Sequence, residues 1–204
     1  MLTMRRPNTT PWFDGYQPSG WDEVVAENGS IRPHYQEISR RLSELNPADV
    51  ERRHRLADLT MRQQGITFTV YGREQGVERI MPFDPMPRVV PADEWERVER
   101  GLKQRIRALN LFVHDVYHDR KILKDKIVPA ELVLGCTSYR REMVGIQVPG
   151  DIYIHICGTD LIRDPSGEYL VLEDNGRTPS GVSYVLKNRQ VMKQAFAPLF
   201  GENS

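Results

Sequence analysis

The chain has 204 residues, 39% of them hydrophobic and 27% charged, a composition typical of folded globular proteins and unlike that of disordered ones. Lys+Arg and Asp+Glu both total 28, so no bulk charge favours nucleic acid or anionic lipid. No apolar run reaches the roughly 18 residues a membrane span needs, and the first twenty residues lack the apolar stretch of a secretory signal, so a cytoplasmic protein is expected.

Residues 1–20, rich in Pro, Gly, Thr and aromatics, read as an irregular arm. Asn46-Pro47-Ala48-Asp49 is a helix start, with Asn as N-cap and Pro in the first turn. That helix should run to about Gln64, with Gly65 closing it. Within it, Glu51-Arg52-Arg53-His54-Arg55 is expected to be a solvated face, because no aromatics interleave the charges. Ile66 to Tyr71 is β-branched and aromatic, hence a strand, and Val77 to Phe83 is its expected hairpin partner across Gly72–Gly76. Pro82, Pro85, Pro87 and Pro91 then mark a stiff connector, dividing residues 1–91 from 92–204.

From Ala92 to about His118, Trp95, Val98, Leu102, Ile106, Leu109, Val113 and Val116 recur at steps of three and four, which predicts a long amphipathic helix. His114 and His118 lie four apart on it, but no HExxH pattern surrounds them, and Asp115 and Asp119 read as solvated. Leu109 to Val113 is expected to pack in a core. Residues 129–144 suggest short helical pieces broken at Gly135, with Arg140 and Arg141 offering a phosphate or substrate contact against the plainer reading of surface ion pairs. Asp151–Arg163 and Glu168–Asp174 are predicted strands joined by Asp164-Pro165-Ser166-Gly167, a turn by composition. His155 is expected to be packed within the first of them. Cys136 and Cys157 fit no zinc or redox spacing and read as reduced thiols. A last helix is expected over Val182–Phe196, with Val185, Arg189, Met192 and Phe196 on one face. Helices and strands mix without a steady βαβ rhythm, so the fold class is α+β.

The hairpin carries the chemistry. Strand side chains alternate faces, so Tyr169, Val171, Glu173 and Asn175 share a face if the strand is regular. A two-residue loop would put Asp160 opposite Val171, diagonal to Glu173 and on that face. A three-residue loop with a bulge at Gly167 would send Asp160 to the other face, unless a second bulge, for instance near Gly158, compensates. Two carboxylates and an amide oxygen suit Mg²⁺, a hard cation that keeps waters and leans on nucleotide phosphates. Taken by themselves, Glu173 and Asn175 fit a strand end that simply meets solvent better than a metal site.

Asp160, Asp164-x-x-Gly167, Glu173-x-Asn175 and Thr178-Pro179-Ser180-Gly181 resemble the metal-binding end of ATP-grasp ligases. The strings ITFTVYG, ERIMPFDPMPRVVP, EWERVERGLKQRIRALNLF, ILKDKIVPAELVLG, YRREMVG and VLEDNGRTPSGVSYVLKNR are similar to the circularly permuted ATP-grasp proteins of type 2, relatives of glutathionylspermidine synthase. The resemblance covers nearly all of the chain after about residue 30. It implies that Asp160, Glu173 and Asn175 hold a Mg²⁺ bridging ATP phosphates. It implies a carboxylate–amine ligase working through an acyl-phosphate, with unidentified acid and amine substrates. Arg177 would steady a phosphoryl or carboxylate oxygen, and the backbone N–H groups at Ser180 and Gly181 would hold an anion. Asp174, on the opposite face, is expected to be exposed or structurally bonded. Two departures stand out: Cys157-Gly158-Thr159 replaces a basic residue often found before the metal Asp, and Gly176 stands where a larger apolar residue is expected. Permuted relatives are more than twice as long, so this chain is expected to be the N-terminal, metal-binding portion, incomplete for catalysis, with exposed apolar surface and a tendency to self-associate. The competing expectations are a non-catalytic binding or assembly module on the same scaffold, and nucleotide hydrolysis without ligation.

Overall fold

A computed structural model of the chain describes residues 11–70 and 77–200. Among these residues the α-helices and strands follow one another as α1 (Gln36–Ser43), α2 (Pro47–Gln63), β1 (Thr67–Val70), β2 (Val77–Ile80), α3 (Ala92–Tyr117), α4 (Lys121–Lys124), α5 (Ala130–Leu134), β3 (Gly158–Arg163), β4 (Tyr169–Asn175) and α6 (Gly181–Ala195), with short 3-10 turns between some of them. The strands form two separate two-stranded sheets, β1–β2 and β3–β4. None of the described helices is long and apolar enough to cross a membrane. The chain divides into two compact units. One comprises residues 1–91, 163–170 and 180–204, and the other residues 92–162 and 171–179.

The first unit is built on α2 and α6. Asn46 caps α2, its side chain accepting from the Asp49 N–H at 2.9 Å, and Gly65 follows the helix at φ +62°. β1 and β2 pair antiparallel from Thr67↔Ile80 to Val70↔Val77, and the expected turn at residues 72–76 lies outside the described residues. The core holds Leu42, Ala57, Met61, Phe83, Val191 and Phe196, with Phe83 stacked on Phe196 at 6.3 Å between ring centroids. On α6 the buried stripe is Val191, Met192 and Ala195, and Val185 is 66% exposed. The expected face through Val185 and Arg189 is therefore rotated, because α6 turns Tyr184, Asn188, Val191 and Ala195 inward, and it packs on α2. The charged run on α2 is also only partly solvated. Glu51, Arg52 and Arg55 are exposed, whereas Arg53 donates to the Ala195 carbonyl at 2.9 Å and His54 Nε2 lies 3.1 Å from the Phe83 carbonyl. Arg53 thus satisfies a carbonyl at the C-terminus of α6, where a cation is favoured.

In the second unit α3 presents the expected stripe, but of its members only Val116 is fully buried, and Trp95 is 50% exposed. Asp115 is not simply solvated. Its carboxylate accepts from the backbone N–H groups of Lys121 and Ile122 at 2.9 and 3.0 Å, capping α4. Asn110, within the stretch expected to be core, donates through its side chain to the Asp151 carbonyl at 2.8 Å. It accepts from the N–H groups of Tyr153 and Ile154 at 2.8 and 3.1 Å. This explains a difference from the sequence reading: residues 151–157 are not a strand, because one amide side chain takes the hydrogen bonds that a neighbouring strand would supply. His155 is exposed on that segment rather than packed.

Candidate functional site on the β3–β4 hairpin

The hairpin closes through a glycine bulge. Gly167 N–H donates to the Asp164 carbonyl at 2.9 Å, Asp164 N–H donates to the Glu168 carbonyl at 3.0 Å, and Gly167 has φ +89°. This is the three-residue loop. Continued regularly, that ladder would place Thr159 opposite Glu173. Instead Thr159 Oγ1 donates to Asp174 Oδ1 at 2.9 Å, and a Cβ on Gly158 would lie 3.8 Å from the Asn175 Cβ. The open end of the hairpin is therefore shifted by one residue from its tip. Exposure along β4 locates the shift: it alternates from Tyr169 to Leu172, then Leu172 and Glu173 are both exposed, then alternation resumes. A bulge at Leu172–Glu173 faces Asp160.

Asp160 thus lies opposite Leu172 and Glu173 rather than Val171. The compensating bulge is on β4, not near Gly158. Tyr169 and Val171 share the half-buried face with Asp174, and Asp160, Glu173 and Asn175 share the exposed one. Asn175 Nδ2 donates to Glu173 Oε1 at 3.0 Å, which ties these two side chains together and leaves Asn175 Oδ1 outside that pair. Gly158 is needed where it stands, because a Cβ there would meet the Pro179 Cβ at 2.8 Å. Gly176 has room for a side chain, the nearest atom being 3.7 Å away on Ile154.

The opposite face is tied down by Asp174. Its side chain is only 9% exposed, and it pairs with Arg105 of α3 as well as with Thr159. Arg105 and Thr159 were missed in the sequence, where nothing marks either one out from other helix arginines or strand threonines.

The remaining candidates are more dispersed. Arg177 is exposed and has no ion-pair partner among the described residues. Arg140 and Arg141 are exposed beside a short helical turn, and the Arg140 backbone N–H donates to the Tyr117 hydroxyl at 3.1 Å. Ser180 precedes α6 without capping it through its side chain, and Gly181 is exposed as the first helical residue. His114 and His118 stack face to face, 4.3 Å between centroids, with His118 Nδ1 2.9 Å from the His114 carbonyl. Among the described residues no group of three or more His, Cys, Asp or Glu side chains is arranged to hold a metal ion. The trio on the hairpin contains two carboxylates and an amide. Cys136 and Cys157 are unpaired with each other, Cys136 exposed and Cys157 half-buried.

The tip has a pH signature of its own. Asp164 Oδ1 accepts from Ser166 Oγ at 2.6 Å and from the backbone N–H groups of Ser166 and Glu168 at 2.9 and 3.0 Å. The Ser166 hydroxyl first, then these amides, hold the carboxyl below its ordinary value. A depressed folded-state value means that the stabilisation is present above the ordinary aspartate pKa of about 3.9 and is lost as pH falls through the folded value. The amide resonances of Ser166 and Glu168 should therefore titrate with a midpoint below about 3.9, and Asp164→Asn should abolish the transition. A midpoint at or above that value would show that these bonds do not favour the ionised form.

Comparison with known proteins identifies the family of the chain. The family description "Circularly permuted ATP-grasp type 2" matches residues 87–204. An uncharacterized protein of Synechocystis is 43% identical over 189 residues, covering 92% of this chain and 39% of its own length. An uncharacterized Mycobacterium leprae protein is 40% identical, covering 92% of this chain and 34% of its own length. A Frankia alni protein with the provisional name glutamate–cysteine ligase 2-3 is 41% identical over 92% of this chain and 21% of its own length. The chain thus spans well under half the length of each of these relatives.

Proposed function

The chain belongs to the circularly permuted ATP-grasp family, type 2, and from that premise we propose that it is the metal-binding portion of an ATP-dependent carboxylate–amine ligase. The observation that supports this most is that Asp160, Glu173 and Asn175 are all exposed on the two paired strands of one hairpin, with Asn175 hydrogen-bonded to Glu173. Their donor set fits Mg²⁺: two carboxylates and an amide oxygen are hard ligands, and an exposed face leaves room for the waters and phosphate oxygens that complete its shell. When bound, the ion would supply charge neutralisation to the phosphate groups of ATP.

The residues of the chain would then do the following. Asp160 and Glu173 hold the charge, and Asn175 orients Glu173 through its amide. Arg177 would grip a phosphoryl or carboxylate oxygen, and an exposed guanidinium suits that planar, bidentate contact. Arg140 and Arg141, and the N–H groups at Ser180 and Gly181, are further candidates for anions. In the reaction a substrate carboxylate oxygen attacks the γ-phosphorus, ADP leaves, and an amine displaces phosphate from the acyl-phosphate to form the amide. The name of the Frankia relative, a ligase of glutamate and cysteine, is compatible with such chemistry.

We place catalysis in a longer assembly that includes polypeptide equivalent to the remainder of the relatives. The exposed Leu111, Ile127, Leu132, Ile146, Ile152 and Ile156 of the second unit are compatible with that reading, since further polypeptide would cover apolar side chains left exposed here. The chain's own metal site is tested first. Mn²⁺ binding by the 204-residue chain, followed by titration calorimetry, should fall at least tenfold in Asp160→Ala and in Glu173→Ala, since each removes a charged ligand. Ligation is then tested by adding the C-terminal portion of a relative and measuring amine-dependent ADP release with a panel of acids and amines. Absence of release across the panel, with Mn²⁺ binding intact, would favour a non-catalytic binding or assembly module. ADP release that needs no amine would favour hydrolysis.

A further inference from the structure

We infer that Asp174, held by Arg105, is a positioning residue that sets the register of the three candidate ligands, an inference that rests on the metal reading above. Three facts carry it. Asp174 sits between Glu173 and Asn175 in the chain, and its hydrogen-bond partner Thr159 directly precedes Asp160. One carboxylate therefore joins the neighbours of all three candidate ligands across the two strands. The Asp174 side chain is 9% exposed and paired to an arginine on α3, so it is anchored to the longest helix and not merely to its partner strand. It lies opposite the ligand face, so it can act only through the backbone.

The physical need for such an anchor comes from the bulge. A bulge leaves one residue of β4 without a ladder partner and loosens pairing just where Glu173 stands. Two strands alone are marginal, and among the described residues β3–β4 has no third strand to fix it. A charge-assisted contact from the half-exposed Arg105 through the shielded Asp174 to Thr159 supplies the missing constraint, in the way that outer-shell partners orient the ligands of a metal. Removing either charge leaves the other uncompensated and frees the strands to slip by one residue, which would carry Glu173 to the wrong face.

The test uses the 204-residue chain with Mn²⁺ as the probe, and residue-level amide exchange without metal as a second reading. Asp174→Asn and Arg105→Ala should each weaken Mn²⁺ binding about tenfold, and Arg105→Lys should recover most of it. Without metal, exchange should rise at residues 158–160 and 173–175 and stay unchanged along α3. Wild-type Mn²⁺ affinity in both variants would overturn the inference, as would a loss accompanied by faster exchange throughout α3, because that pattern is general destabilisation. If the wild-type chain takes up no Mn²⁺, the metal reading fails by itself. Positioning is then decided by exchange alone: faster exchange confined to the two strand segments upholds it, and wild-type rates there overturn it.

Discussion

Gly167→Ala should destabilise the hairpin tip by about 3 kcal/mol, adding a left-handed backbone penalty of about 1–2 kcal/mol to an overpacking cost of about 1–3 kcal/mol. Gly167 has φ +89°, and a Cβ there would fall 2.4 Å from two ring atoms of Trp21. Cation–π contacts hold the half-buried ring in place. Arg32 lies over it with its guanidinium carbon 3.7 Å from the ring centroid, and Arg163 approaches at 4.9 Å. Arg163 also lies 4.1 Å from the Tyr169 ring centroid and donates to the Tyr169 hydroxyl at 2.8 Å and to the Gly167 carbonyl at 3.0 Å. Such stacks of guanidinium and aromatic planes are each worth about 0.5–2 kcal/mol when partly desolvated, so displacing the indole disturbs several contacts together. The measurement is a double-mutant cycle on denaturant unfolding with Trp21→Ala. In the Trp21→Ala background, the cost of Gly167→Ala should fall to the backbone part, about 1–2 kcal/mol. An unchanged cost in that background would mean that the ring is not what the added methyl meets.

Phe196→Ala should cost about 3–5 kcal/mol, the usual range for deleting a fully buried aromatic side chain, and is expected to have the largest effect of any single truncation in the first unit. Phe196 is fully buried in the cluster that joins α2 and α6, with its ring stacked on Phe83. Truncation removes the transfer energy of the ring and leaves a cavity between residues from helices and a connector that cannot all close in. The same substitution at Val185, which is 66% exposed, should change stability by less than about 0.5 kcal/mol. Comparing the two by chemical denaturation tests which face of α6 is inward. Equal costs would restore the face that the apolar spacing alone suggested.

Local chemistry was legible in the sequence wherever one or two neighbouring residues decide the outcome. Asn46-Pro47 started α2 and Gly65 followed its end, because capping involves atoms within a turn of each other. The apolar repeat fixed α3 to within a residue or two, because its period is a property of the helix itself. The oxygen donors at 160, 173 and 175, and the order of motifs around them, were also readable as residue types, and the longer strings were enough to point to the family. Where a partner distant in sequence decides, the reading stopped. Asn110 converted an expected strand over 151–157 into an irregular segment from 41 positions away. α6 buried Val191 and Ala195, because α2 set its rotation.

The hairpin shows the division most clearly. Asp164-Pro165-Ser166-Gly167 determined that the chain turns, and Gly167 allowed a glycine bulge, but two loop lengths remained compatible with those four residues. They differ by one residue in register, and in a strand one residue exchanges the faces. Only the folded chain, with Thr159 against Asp174 and Arg105 paired to it, shows which side of β4 is turned inward, and it leaves Asp160 and Glu173 exposed. The sequence by itself determined which atoms are available to a ligand. Their placement on the strands is a tertiary property, because the face a strand residue takes follows from a register that the local residues leave open.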